Sequence, residues 1–177
     1  MADGLLENRD DLEALFDELA EELVPLGISA EIVMVGGAWM LWHSQRLSTR
    51  DVDSARRFDS DLREAIDRIG ARHDLSERWL NDDAAPFWPS NASYDDCELI
   101  YEAPALSVRS PGPNVIFVMK LLRADPQDRE DLVVLWPSCS FSDANDAAKA
   151  FRIAYPHAPE DEHLADYIAD VARDSSP

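Results

Sequence analysis

The sequence predicts an α+β chain: a small mixed β-sheet flanked by helices, followed by a helical C-terminal part. Short β-branched apolar runs alternate with stretches of helical period as far as about residue 109. Beyond that point only helical periods recur, punctuated by proline and glycine. With 46% hydrophobic and 29% charged residues over 177 positions, the composition is that of a globular chain able to bury one apolar core. The expected organisation is a single domain over 1–177, with a core at about 30–135 and C-terminal helices at about 140–175.

The elements follow in order. Leu12, Leu15, Phe16, Leu19 and Leu23 recur at helical spacing. Asn8 or Asp10 can cap that helix, and Pro25 with Gly27 ends it. Residues 31–35 form a short β-branched run, a buried strand, followed at once by Gly36 and Gly37. Residues 38–44 read as a helix. Residues 50–53 read as a second strand with Val52 inward and Asp51 and Asp53 on the other face. Asp59 or Ser60 caps a helix carrying Leu62, Ala65, Ile66 and Ile69 on one stripe. Residues 74–94 read as a short helix and a Pro/Asp-rich loop. Residues 97–101 and 106–109 read as strands, an antiparallel pair or one bent strand, and 110–113 as a turn. Helices are expected from Asn114 through Ala124, at about 127–136, near 143–152 and at 160–173.

Acids outnumber bases 36 to 16, a formal net charge of −20, which argues against a nucleic-acid binder driven by bulk charge. The excess lies at the ends: residues 1–31 hold ten acids and one base, whereas 46–78 hold eight arginines against eight acids. That balanced segment is a candidate local basic rim. Cys97 and Cys139 belong to no CxxC or Cys/His cluster, so a structural zinc site is unsupported and two free thiols are expected. The acidic start lacks the basic region of a signal peptide, and no apolar run approaches a membrane span. A cytoplasmic protein with no membrane partner is expected.

The chemistry concentrates between Gly36 and Asp53. A strand ending in two glycines lets backbone approach a ligand closely, and the first N–H groups of the next helix suit a phosphate chain. Asp51 follows Gly37 by 14 positions and Asp53 by two more. Two strand aspartates at i and i+2 share a face and can hold Mg²⁺ or Mn²⁺ together with substrate phosphates. Gly-Gly alone is a common turn, and Asp-x-Asp alone a common solvated loop. Their combination is far more specific. Neither a Walker loop nor a Rossmann fingerprint is present.

Val-Gly-Gly-Ala-Trp-Met at 35–40 with Arg-Leu-Ser-Thr-Arg-Asp-Val-Asp at 46–53 resembles the signature of the polymerase-beta-type nucleotidyltransferase superfamily. Trp79-Leu-Asn-Asp82, the stretch 117–123 around Lys120, and Asp128-Arg-Glu-Asp-Leu132 are similar to its minimal AbiEii-like toxin and DUF6036 branch. The resemblance spans roughly 30–135. It implies a sheet of nucleotidyltransferase type and a metal-dependent transfer of NMP from an NTP to an RNA, protein or small-molecule hydroxyl. It also implies a toxin of a toxin–antitoxin or phage-defence system with an antitoxin partner. Gly36 and Gly37 would hold the triphosphate, and Asp51 and Asp53 the metal, with Glu98 the nearest third carboxylate. Lys120 would contact phosphate or carboxylates, and Asp131, with Asp128, would complete the site.

Ala38 stands where many members have serine, and Ser54 where the pattern has an apolar residue. These departures keep open a decayed transferase fold that binds or regulates; the other alternative is an aminoglycoside-type adenylyltransferase, whose Gly-Gly and Asp-x-Asp arrangement this stretch also resembles. Lys120 is one of only two lysines, and in an apolar helix it either snorkels or neutralises a phosphate or carboxylate. As a site residue at a pocket it should tolerate exchange for methionine with little loss of stability. Arg46 and Arg50 flank the Asp-x-Asp strand and are candidate phosphate or acceptor contacts. Trp39 and Trp42 read as core, with base stacking the alternative, and His43 has no partner at triad or metal spacing.

Overall fold

A computed structural model describes residues 4–123 and 126–175; the side chains of Pro126 and Gln127 also lie outside the described set. Two compact units are formed. One runs to residue 87 and includes Tyr94–Pro111; the other comprises Trp88–Ser93 and the chain from Gly112 onward.

The first unit is a five-stranded mixed sheet with helices. Helix α1 (Arg9–Leu23) starts at Asn8, whose side chain accepts the Asp11 N–H at 3.0 Å. It ends through a 3-10 turn at Val24–Leu26 and Gly27, whose φ of +66° is left-handed. Strand β1 (Ala30–Val35) leads directly into helix α2 (Gly36–Trp42). Strand β2 is Val52–Ser54, and helix α3 (Ser60–His73) is capped by Asp59, which accepts the Leu62 N–H at 2.9 Å. Strands β3 (Leu80–Asn81), β4 (Glu98–Ala103) and β5 (Leu106–Ser110) complete the sheet in the order β3-β2-β1-β5-β4. Strand β1 pairs antiparallel with β2 and parallel with β5, β2 parallel with β3, and β4 antiparallel with β5. The core joins the apolar stripes of α1 and α3 to Ile32, Met34, Val52, Leu106 and Val108. Trp79 is nearly fully buried and donates its indole N–H to Ile66 O at 2.9 Å.

Two expectations need correction here. The short helix expected within 74–94 does not form as an α-helix: the chain there makes turns, a 3-10 helix at Ala85–Phe87 and the two residues of β3, which are held by pairing to β2 rather than by any local period. The second strand begins at Val52 instead of residue 50, because Thr49 is taken by an isolated bridge to Leu6.

The second unit is helical. Helix α4 spans Pro113–Arg123, α5 Pro126–Leu135, α6 Ala144–Ala154 and α7 Leu164–Asp174. The expected end of α4 at Ala124 lies outside the described residues. Helix α7 starts four residues later than expected, since 159–163 are irregular. Phe117, Trp136 and Phe141 pack as an aromatic cluster with centroids 5.5–6.1 Å apart. No described helix is long and apolar enough to cross a membrane.

Candidate active site

Val35 ends β1 opposite Asp53 of β2, so the residue after Val35 must pass beside the Asp53 carboxylate. That residue is Gly36, at φ +67°; a Cβ there would lie 2.4 Å from Asp53 Oδ2. The second glycine has a different neighbour. A Cβ on Gly37 would lie 2.6 Å from Thr49 Oγ1 and 3.0 Å from Arg46 Nη1. Gly36 therefore clears space for the Asp53 carboxylate and Gly37 for the Thr49 hydroxyl and the Arg46 guanidinium, and only a pair without side chains permits these approaches. The first turn of α2 begins at these glycines, with N–H groups that lack intrahelical partners.

Asp53 lies within β2, and Asp51 just before it; both are partly exposed, with Val52 fully buried between them. Thr49, 6% exposed, donates its hydroxyl to Asp51 O at 3.1 Å and Asp51 Oδ1 at 3.3 Å. Arg46 and Arg50 are both exposed on this segment.

The two departures from the signature have local explanations. Ser54 is fully buried; its hydroxyl donates to Arg56 O at 3.0 Å and accepts the Arg56 N–H at 3.1 Å, closing the turn after β2. Ala38 is fully buried and belongs to the apolar core.

Glu98 is not brought to the aspartates. It opens β4, and β1 and β5 stand between β4 and β2, which separates the backbones by about 14 Å at ordinary strand spacing. Among the described residues no three acids, histidines or cysteines form a metal-holding group. The residue beside Asp53 on β3 is Asn81, whose amide donates to Arg78 O at 3.2 Å and accepts the Asp83 N–H at 3.0 Å.

Two carboxylates beside a helix start suit a hard divalent cation that takes its remaining ligands from phosphate oxygens and water. The close approach of the Asp53 carboxylate to Gly36 at the start of α2 is in keeping with that use. The donor set fits Mg²⁺ or Mn²⁺ held by Asp51 and Asp53, without a third protein carboxylate.

Lys120, Asp128 and Asp131 belong to the second unit. Lys120 Nζ donates to Asp128 Oδ1 at 3.0 Å and to Asp131 Oδ2 at 2.7 Å, and the three side chains are only 8%, 6% and 14% exposed. Asp128 Oδ2 is buried without a hydrogen bond; the Arg123 guanidinium lies 3.7 Å away. The ammonium is thus buried against two carboxylates and does not snorkel.

Trp39 and Trp42 are core residues: Trp39 donates its indole N–H to Pro111 O at 2.9 Å, and the Arg9 guanidinium caps the Trp42 ring at 4.1 Å. His43 gains a partner that sequence spacing did not show, Ser110 Oγ at 2.9 Å. Burial lowers the pKa of this imidazole, partly opposed by Glu98. Five of the eight arginines in 46–78 are absorbed by carboxylates: Arg56 by Glu31, Arg63 by Asp82, Arg68 and Arg72 by Glu22, and Arg78 by Asp83. This removes most of the expected basic rim. Both cysteines are free, and burial raises Cys97 to about 11 and Cys139 to about 12, which keeps them protonated and inert.

Residues 10–142 match the family described as "Nucleotidyltransferase of unknown function (DUF6036)". The chain belongs to the DUF6036 family. Membership agrees with the polymerase-beta-type resemblance carried by residues 35–53, and the mixed sheet flanked by helices matches a nucleotidyltransferase-like α+β fold. No curated protein and no solved structure gives a significant match. Within this DUF6036 chain, Thr49 is the site residue that sequence reasoning passed over. Its signal is its place two positions before Asp51, inside the stretch that carries the resemblance.

Proposed function

We propose that the first unit carries a metal-dependent nucleotidyl-transfer site built on Gly36, Gly37, Asp51 and Asp53. One observation supports it most: the left-handed glycine after β1 has its Cα against the Asp53 carboxylate, so backbone amides and metal-binding oxygens stand side by side. On this reading the amides at Gly36 and Gly37 bind the triphosphate, and Arg46 and Arg50 neutralise phosphate charge or hold the acceptor. Asp51 and Asp53 hold Mg²⁺ or Mn²⁺, which when bound polarises the α-phosphate and screens the departing charge. The acceptor hydroxyl oxygen attacks the α-phosphorus in line. The bond between the α-phosphorus and the bridging oxygen breaks, pyrophosphate leaves with the electron pair, and the hydroxyl proton passes to a carboxylate or to water.

The acceptor is an RNA 3′ end, a protein side chain or a small molecule. The reading extends to a cytoplasmic toxin of a toxin–antitoxin or phage-defence pair, with an antitoxin as protein partner. Lys120 and Asp131, with Asp128, are included as transfer residues on the resemblance alone, because their charges are already met within their own helices. A second reading, a decayed fold that binds without transferring, is favoured by the separation of Glu98 from the aspartates.

Incubating the protein with each α-labelled NTP and Mg²⁺, with and without total tRNA, tests the proposal. Label transferred to an acceptor, and lost by at least about a hundredfold in Asp51→Ala and Asp53→Ala, is the expected result. Full activity in either variant would reduce the Asp-x-Asp to a surface motif.

A further inference from the structure

Thr49 is neither a carboxylate nor a glycine, yet it touches both parts of the candidate site. Its backbone is clamped in both directions: its N–H donates to Leu6 O at 2.9 Å, and its carbonyl accepts the Leu6 N–H at 2.8 Å. Leu6 is itself fully buried in the core, so this bridge anchors the segment that precedes Asp51. The hydroxyl reaches Asp51 O and Asp51 Oδ1 at 3.1 and 3.3 Å, and its oxygen occupies the space that a Cβ on Gly37 would need.

We infer that Thr49 is a positioning residue for Asp51, whose hydroxyl fixes the orientation of that carboxylate toward a divalent cation. The inference rests on the functional reading above. Asp51 needs such help where Asp53 does not. Asp53 is held by the pairing of β2 with β1, whereas Asp51 precedes the strand and has no ladder to orient it. A partly exposed aspartate samples several rotamers, and ordering it upon binding costs entropy. Magnesium tolerates little deviation from octahedral geometry, so a carboxylate held by an outer hydrogen bond binds it better than a rotating one. The anchoring of Thr49 by Leu6 passes the rigidity of the core to the site, and the small Gly37 lets the hydroxyl stand against α2.

The test uses the full chain and reads metal binding directly. Mn²⁺ is titrated by electron paramagnetic resonance in the presence of a non-hydrolysable NTP analogue, for wild type, Thr49→Val and Thr49→Ser. Thr49→Val keeps the branched shape and removes the hydroxyl; Thr49→Ser restores it. The expected result is Mn²⁺ binding weakened about tenfold in Thr49→Val and recovered in Thr49→Ser, with the Mg²⁺ needed for half-maximal transfer shifted in parallel. If Thr49→Val melts early, Thr49→Ala removes the same hydroxyl without crowding Gly37 and is read in its place. Wild-type affinity in the hydroxyl-free variants overturns the inference while leaving the functional reading intact. A wild-type chain that binds no metal with the analogue overturns both.

Discussion

The grouping around Asp51 and Asp53 and the grouping around Lys120 are both rich in charge, yet they differ in how far that charge is buried. In the second unit the Lys120 ammonium is buried with two carboxylates at hydrogen-bonding distance, so the cluster neutralises itself. In the first unit Asp51 and Asp53 keep part of their surface open, and Gly36 and Gly37 let the Asp53 carboxylate, the Thr49 hydroxyl and the Arg46 guanidinium approach the start of α2. Burial with internal pairing meets the cost of an ion in the interior. Open carboxylates beside a cleared backbone are what a ligand site requires. The same residue types therefore differ in burial: the Lys120 grouping is closed between its helices, whereas the aspartates of the first unit stay partly exposed.

The largest effect on stability is expected at the Lys120 grouping. Lys120→Met removes the buried ammonium that donates to both Asp128 and Asp131 and should lower unfolding free energy by about 3–5 kcal/mol, read by urea denaturation. This reverses the expectation for a site residue at a pocket, under which the exchange costs little. Replacing both aspartates by asparagine in the same chain should recover most of the loss. A single variant as stable as wild type would dissolve the contrast between the two groupings.

The glycines sharpen the comparison. Gly36 and Gly27 share a left-handed backbone, with φ of +67° and +66°, but a Cβ on Gly27 meets nothing within 4 Å. Gly27→Ala should cost only the conformational penalty of about 1–2 kcal/mol and leave NTP affinity unchanged. Gly36→Ala adds the overlap with Asp53, so it should melt lower than Gly27→Ala and lose nucleotide binding. Equal behaviour in melting and nucleotide titration would show that the approach to Asp53 has no functional weight.

Asp82 gives the smallest effect and a pH signature. Burial acts to raise its pKa, but the Phe58 amide at 3.0 Å and the Arg63 guanidinium outweigh it and hold the carboxyl below the ordinary value of 3.8. A depressed carboxyl contributes stability above that ordinary value and loses it as pH falls through the lowered one. Asp82→Asn should cost about 1 kcal/mol at pH 7, since Arg63 is half exposed, and the gap should close in acid. A gap that persists undiminished under acid denaturation would place the effect in packing instead.

Helices were legible where one stripe faces one core: Leu12 to Leu23 of α1 and Leu62 to Ile69 of α3 carry their own period, and Asn8 and Asp59 cap as their types suggest. Strand β3 was not legible, because two residues have no period and Leu80 and Asn81 are strand only through pairing with Val52 and Asp53. The glycines and aspartates were legible as a pattern, since backbone clearance and paired carboxylates admit few substitutes. Which groups meet each glycine was not, because it depends on how 46–53 folds back and on the Leu6 bridge. Lys120 shows the same limit. Its rarity marked it, but whether it faces water or aspartate is decided by α5, eight and eleven residues later.

The central claim is that the Gly36–Gly37 cradle and the Asp51–Asp53 pair form one metal-dependent nucleotide site. The most direct measurement is calorimetric titration of NTP into the protein with Mg²⁺ and again with EDTA, for wild type and Asp53→Ala. Saturable heat from the wild type with Mg²⁺ alone, absent with EDTA and absent in Asp53→Ala, is the predicted result. Negligible heat in every arm, or equal heat with and without metal, would contradict it.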